Sequence, residues 1–116
     1  MKRKRRAKVE VLRDLDALLV RAESLRDAAA GDELSLARVA IARLAWRQEV
    51  LALLPEMSKG MQVAVDFQRA AQSVGATAVS DLAAEWGHHR AAIGAPLEVL
   101  RSAIDAWRRS GTRPLE

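Results

Sequence analysis

The sequence predicts an all-α fold, an up-and-down bundle of four to five helices built on a long N-terminal antiparallel helical hairpin. Three observations predict it. Alanine supplies about one residue in five, Leu, Arg and Glu are abundant, and these residue types favour helix, whereas the β-branched residues are too scattered for a sheet. Residues 36–54 read LARVAIARLAWRQEVLALL, a run too long for a strand and apolar at helical period. Punctuation falls at helix-length intervals, with Gly31-Asp32, Pro55, Gly75 and Gly111 dividing the chain.

The first helix is expected over residues 3–30. Val11, Leu15, Leu18, Ala22, Leu25 and Ala29 alternate in steps of four and three, a heptad seam, and Leu12 and Leu19 widen it. Gly31 suits the position just past a helix end and Asp32 suits the N-cap of the next helix. So short a loop makes a hairpin, and reflection about residue 31 sets Leu54 opposite Lys8 and Asp14 opposite Gln48. The second helix ends near Leu54, because Pro55 cannot continue it. At 100° per residue, Leu53, Trp46, Val39, Val50, Leu36, Leu54, Ala40, Leu51 and Leu44 cover about half its circumference. That arc is wider than one neighbour needs, so this helix is expected to be central, with partners on two sides. A third helix follows from Ser58 to about residue 74, with Val63, Phe67, Ala70 and Val74 as its stripe and Gly75 as its end. The fourth starts at Thr77 or Ser80 and carries Val79, Leu82, Trp86, His89 and Ile93. The fifth carries Leu97, Leu100, Ile104 and Trp107. A break between them at Gly94-Ala95-Pro96 is expected, since one helix would hold Gly87, Gly94 and Pro96 at a cost of about 1, 1 and 3 kcal/mol. Gly111 and Pro114 end the ordered part, and Leu115-Glu116 reads as a cloning remnant.

At 116 residues the chain reads as one helical domain, 1–116, with residues 1–8 as a projecting basic tip and 111–116 as a loosely ordered tail. A chain of this length buries roughly 65% of its unfolded surface. The absence of cysteine excludes disulfides, thiolate metal sites and Cys nucleophiles, and fits a cytoplasmic protein. No uncharged apolar run reaches the roughly 18 residues that a membrane-spanning helix needs. Glu10, Arg13, Asp14 and Asp16 interrupt the region after the basic start, so no signal peptide is expected. Arg- and Ala-rich usage suggests a bacterial or phage genome rich in GC.

The net charge of +4 is unevenly placed. Lys2, Arg3, Lys4, Arg5, Arg6 and Lys8 are six of the 19 basic residues, leaving 13 basic against 15 acidic from Val9 onward. The body is mildly acidic. The basic cluster reads either as a solvated terminus that aids solubility or as a contact for nucleic acid, an anionic membrane surface or an acidic protein.

Arg43 and Arg47 fall near the middle of the apolar arc of the second helix. Neither has an acidic residue three or four positions away, and a buried charge needs a partner. Asp14 and Asp66 flank the seams of their own helices and are the expected carboxylates. The hairpin level singles out Asp14 with Arg47; the other reading is an exposed groove that offers both arginines to an acidic partner. Val39, Trp46, Val50 and Leu53 are the expected interface residues.

Asp81, Glu85 and His88 carry a single E-x-x-H, where bundle metal sites use two, and read as a solvated face. His89 lies on the apolar stripe, where such a histidine is a satisfied core or interface residue, at most with the capacity of a pH switch. The stretch LAAEWGHHRAAIGAPL has Leu82, Ala83, Trp86, Gly87 and Ile93 at apolar, small and glycine positions. It resembles the helix-turn-helix of bacterial DNA-binding proteins, which implies Arg90 as a base or phosphate contact. Gly94 and Pro96 fall within the implied recognition helix, and His88 stands where that pattern has an apolar residue.

For catalysis the inventory is poor. There is no Gly-rich phosphate loop and no Ser-x-Gly elbow, and His88 and His89 project about 100° apart. The sequence therefore points to no enzyme, no cofactor, no metal and no small-molecule substrate. Its expected function is a small protein–protein interaction or adaptor protein, acting by helix-on-helix contacts with a second copy or another helical protein. The alternative is a nucleic-acid-binding accessory or regulatory protein using Lys2 to Lys8 and residues 77–97.

Overall fold

The computed structural model describes residues 7–29, 31–73 and 81–110. Four α-helices make up these residues: α1 (Lys8–Arg26), α2 (Glu33–Leu53), α3 (Gly60–Ser73) and α4 (Leu82–Ser110), with a 3-10 turn at Leu54–Glu56. The expected features at Lys2 to Arg6, Val74 to Ser80 and Gly111 to Glu116 lie outside the described residues. No helix among those described is long and apolar enough to cross a membrane.

Helix α1 begins at Lys8, where the Glu10 carboxylate accepts the Ala7 N–H at 3.3 Å and so caps the first turn. Its seam is as the heptad spacing predicts, with Val11, Leu15, Leu18 and Ala22 buried. The helix ends at Arg26, short of the expected residue 30, and Ala29 is exposed. The link to α2 is therefore several residues long, not a one-glycine turn. At its far side Asp32 caps α2 as expected, accepting the Ser35 N–H at 2.9 Å.

The longer link changes the level at which α1 and α2 meet. Reflection about residue 31 sets Leu18 opposite Leu44, but in the structure the Leu18 carbonyl accepts Trp46 Nε1 at 2.9 Å. Asp14 shares a groove with Leu53 and Glu56, not with Gln48. Helix α2 is thus displaced past the end of α1, and its first turns meet the start of α4 instead: Glu33, Leu36, Ala37 and Ala40 share a groove with Glu85.

Pro55 ends α2 as expected and lies in the 3-10 turn. The chain then reverses through Lys59, which has a positive φ of 58°, into Gly60 at the start of α3. A Cβ on Gly60 would stand 1.8 Å from the Leu54 carbonyl oxygen, so only glycine lets the turn close. Phe67 of α3 is fully buried and its ring tilts against Trp46, with centroids 5.4 Å apart.

The expected break at Gly94-Ala95-Pro96 does not occur. Helix α4 runs unbroken over 29 residues with Pro96 inside it. Local propensity penalises Gly87, Gly94 and Pro96 by about 5 kcal/mol together, whereas fully burying each of Ile93, Leu97, Leu100 and Ile104 contributes about 1.5–3 kcal/mol. Continuity keeps these four, all at 0% exposure, on one stripe, and tertiary burial wins. Pro96 is itself buried.

The same comparison relocates the centre of the fold. Eight residues of α4 are buried against two of α2, so the most interior helix is α4 and not the apolar run 36–54. Along α4, Lys8 Nζ donates to the Trp107 carbonyl at 2.7 Å, Arg108 pairs with Asp16 at 2.6 Å and Arg101 with Glu23 at 2.5 Å. Helix α3 lies along its other side, with Val63 and Asp66 sharing a groove with Val99 and Ala103.

Candidate functional site

The outer face of α2 carries three of the seven large apolar side chains that are exposed among the described residues. Trp46 and Val50 take the inner face, both at 0% exposure, and Val39 and Leu53 are half-buried. Of the four expected interface residues, Trp46, Val50 and Leu53 therefore pack on the chain's own core. Rotated away from them, Leu34, Ile41 and Leu44 are 60%, 69% and 51% exposed. Ala37 lies between them and Ala45 at the edge of the same face, and both are exposed too. At 100° per residue Leu34, Ala37, Ile41 and Leu44 share one side of the helix, opposite Trp46 and Val50.

What fixes that face in place is a buried junction at the level of Arg43. His89 of α4 is 1% exposed. Arg43 Nη1 lies 2.9 Å from His89 Nδ1, and a guanidinium can only donate, so Nδ1 accepts. The ring proton is then on Nε2, which donates to the Leu25 carbonyl at 3.0 Å. One neutral imidazole ties α2, the last turn of α1 and α4 together. One turn earlier, Trp86 Nε1 donates to the Gly31 carbonyl at 3.0 Å, and the Trp86 ring meets His89 edge-on at 5.9 Å. The end of α1 and the loop that follows it are thus each pinned to α4 at one carbonyl, Leu25 and Gly31.

The electrostatics agree with a neutral ring. Burial pushes the His89 pKa below its ordinary value, and the charges of Arg43, Arg90 and His88 push the same way against the Leu25 hydrogen bond. Burial also lowers the Arg43 pKa, and the charge of Arg47 adds to this. Arg43 was expected to require a carboxylate. Instead a neutral nitrogen satisfies it, because the side chain is only half-buried and keeps contact with water.

The remaining expected site residues scatter. Among the described residues Arg47 joins no ion pair, so the Asp14–Arg47 bridge does not form; the pair that links α1 to α2 is Arg21 with Glu49. Asp14 lines the groove that holds this pair, together with Ala17, Ala52 and Glu56. Asp66 accepts Gln62 Nε2 at 3.0 Å within α3 and, among the described residues, forms no ion pair with Arg43 or Arg47. Lys8 does not project: its ammonium is bonded to Trp107 and lies 5.1 Å over that ring. Lys2, Arg3, Lys4, Arg5 and Arg6 lie outside the described residues. Arg90 is exposed on α4. Residues 82–97 form one uninterrupted helix, which overturns the helix-turn-helix expectation, since Gly87 makes no turn. Asp81 accepts the Ala84 N–H at 2.8 Å and serves as the cap of α4.

Sequence reasoning passed over Leu34 and Ile41. Their signal was present, as apolar residues seven apart, but Ala and Leu on every side of the run 36–54 concealed which arc would be covered. The chain matches no protein-family model, no curated protein and no solved structure.

Proposed function

We propose that this chain is a protein–protein interaction module that works by helix-on-helix contacts, with the outer face of α2 as its docking surface. The observation that carries the reading is the set Leu34, Ile41 and Leu44, large apolar side chains aligned on one helix face and more than half exposed. Covering each would contribute roughly 1–2 kcal/mol, a sizeable drive for association from a single helix face. The His89–Arg43 junction supports the reading, since it holds the face in a fixed orientation before any partner arrives.

The same reading takes the helices as an up-and-down bundle with α1 and α2 as the arms of an N-terminal hairpin. Successive contacts support it: from Lys8 to Leu25 along α1, partners on α4 fall from Trp107 to His89, and from Lys59, just before α3, to Asp66 within it, the α4 residues sharing a groove fall from Trp107 to Glu98.

Co-purification from the native source tests the function. An Ile41→Asp/Leu44→Asp variant, changed at positions already exposed, is expected to fold and to lose a protein that the wild-type chain retains. The same retained proteins with both chains would overturn the reading.

A further inference from the structure

We infer that the occupant of the α2 face is a second copy of this chain, docked as a parallel two-stranded coiled coil; the inference rests on the docking-face reading above. Along α2, Leu34, Ala37, Ile41, Leu44, Gln48 and Leu51 alternate in steps of three and four. That is a heptad seam with Leu34, Ile41 and Gln48 at a, and Ala37, Leu44 and Leu51 at d. The first five are exposed and Leu51 is half-buried, so the seam runs nearly the length of the helix on its open side. A heptad seam left open is built for a matching helix. Isoleucine at a with leucine at d favours two parallel strands, and one polar residue at a, here Gln48, fixes the register by meeting its own copy.

Charge decides the direction. In a parallel pair each g residue faces the e residue five positions further along the other strand. Glu33 occupies g and Arg38 occupies e. Both are exposed, and neither joins an ion pair among the described residues. Glu33 also shares its groove with Glu85, and the rest of that lining is Leu36, Ala37 and Ala40. Arg38 of the second copy therefore arrives beside two carboxylates that no cation in the lining offsets. Two-fold symmetry repeats the contact. Antiparallel docking centred on Ile41 and Leu44 loses it, because Arg38 then faces Ala45 and Ala52 and Glu33 meets only the g residue Arg47, which is half-buried where Arg38 is exposed. The small side chains at those e positions also let the two backbones approach.

The test uses the full chain, which has no cysteine of its own. A Leu34→Cys variant supplies the sole thiol. Parallel docking sets the two thiols side by side, and mild oxidation yields a disulfide-linked dimer. Antiparallel docking leaves them about 26 Å apart, which excludes the bond. In sedimentation equilibrium, Arg38→Glu is expected to weaken the dimer roughly fivefold to tenfold, and Glu33→Arg/Arg38→Glu to recover most of that loss. A dimer that fails to crosslink at position 34, or that ignores Arg38→Glu, overturns the parallel arrangement. A monomer at all concentrations overturns the inference. If Ile41→Asp still releases a co-purifying protein from that monomer, the docking face stands with a different occupant; if it releases nothing, both fall.

Discussion

Replacing His89 by glutamine separates the two roles of the buried ring, its hydrogen bonds and its titration. The ring accepts from Arg43 at 2.9 Å and donates to the Leu25 carbonyl at 3.0 Å while neutral. Glutamine can reproduce both bonds, through its carbonyl oxygen and its amide N–H, but it does not titrate. The folded-state pKa lies below the ordinary 6.5 and the unfolded chain protonates near 6.5, so below that pH the unfolded state binds more protons. The stabilisation present above pH 6.5 is then lost as pH falls through 6.5 toward the folded-state pKa, with a slope approaching about 1.4 kcal/mol per pH unit. Urea unfolding followed by tryptophan fluorescence between pH 8 and pH 5 reads this slope above the range where carboxylates dominate. The wild type is expected to weaken on acidification across that window, and His89→Gln to be nearly flat. His89→Ala is expected to lose about 3–5 kcal/mol at pH 7.5, from the cavity and from an orphaned Leu25 carbonyl. Equal slopes in the wild type and His89→Gln would refute the reasoning, as would a wild type that gains stability in acid.

Four further outcomes follow from the packing. Gly60→Ala is expected to cost about 2–3 kcal/mol in urea unfolding, because its Cβ would stand 1.8 Å from the Leu54 oxygen. Gly87→Ala meets nothing within 4 Å and is expected to stabilise by about 0.5–1 kcal/mol, which also checks that α4 is continuous there. Trp46→Phe removes the indole donor to the Leu18 carbonyl and part of a fully buried ring, and is expected to cost about 1–3 kcal/mol by thermal or urea unfolding. Arg101→Ala, which breaks a half-exposed pair with Glu23, is expected to change stability by no more than about 1 kcal/mol in the same assay, less in high salt.

Much of the fold was legible wherever a local rule and long-range packing agreed. The seam Val11, Leu15, Leu18 and Ala22 was readable because α1 buries one narrow stripe, and Asp32 because its capping bond reaches only to Ser35. Pro55 ended α2 as its missing N–H requires. Pro96 misled because propensity and tertiary burial disagree there, and the burial of Ile93, Leu97, Leu100 and Ile104 is invisible to a local count. The hairpin level failed through one loop: α1 stops at Arg26, and the added link displaces α2. That displacement also explains the candidate site. Arg47 was placed against Asp14 by a register that the chain does not adopt, whereas Arg43 found His89, a partner 46 residues away on another helix. His89 itself was readable as a satisfied interior histidine from its place on the apolar stripe. In an alanine- and leucine-rich helix the pattern announces that apolar surface will be buried, but not which arc stays open.

Molar mass by sedimentation equilibrium across a concentration series, for the wild type and for Ile41→Asp, measures most directly whether the outer face of α2 holds two copies of the chain together. The expected result is a concentration-dependent rise from 12.7 kDa toward twice that mass in the wild type, abolished by Ile41→Asp with the helical circular dichroism retained. A wild-type chain that stays at 12.7 kDa throughout, or a dimer that survives Ile41→Asp, would contradict it.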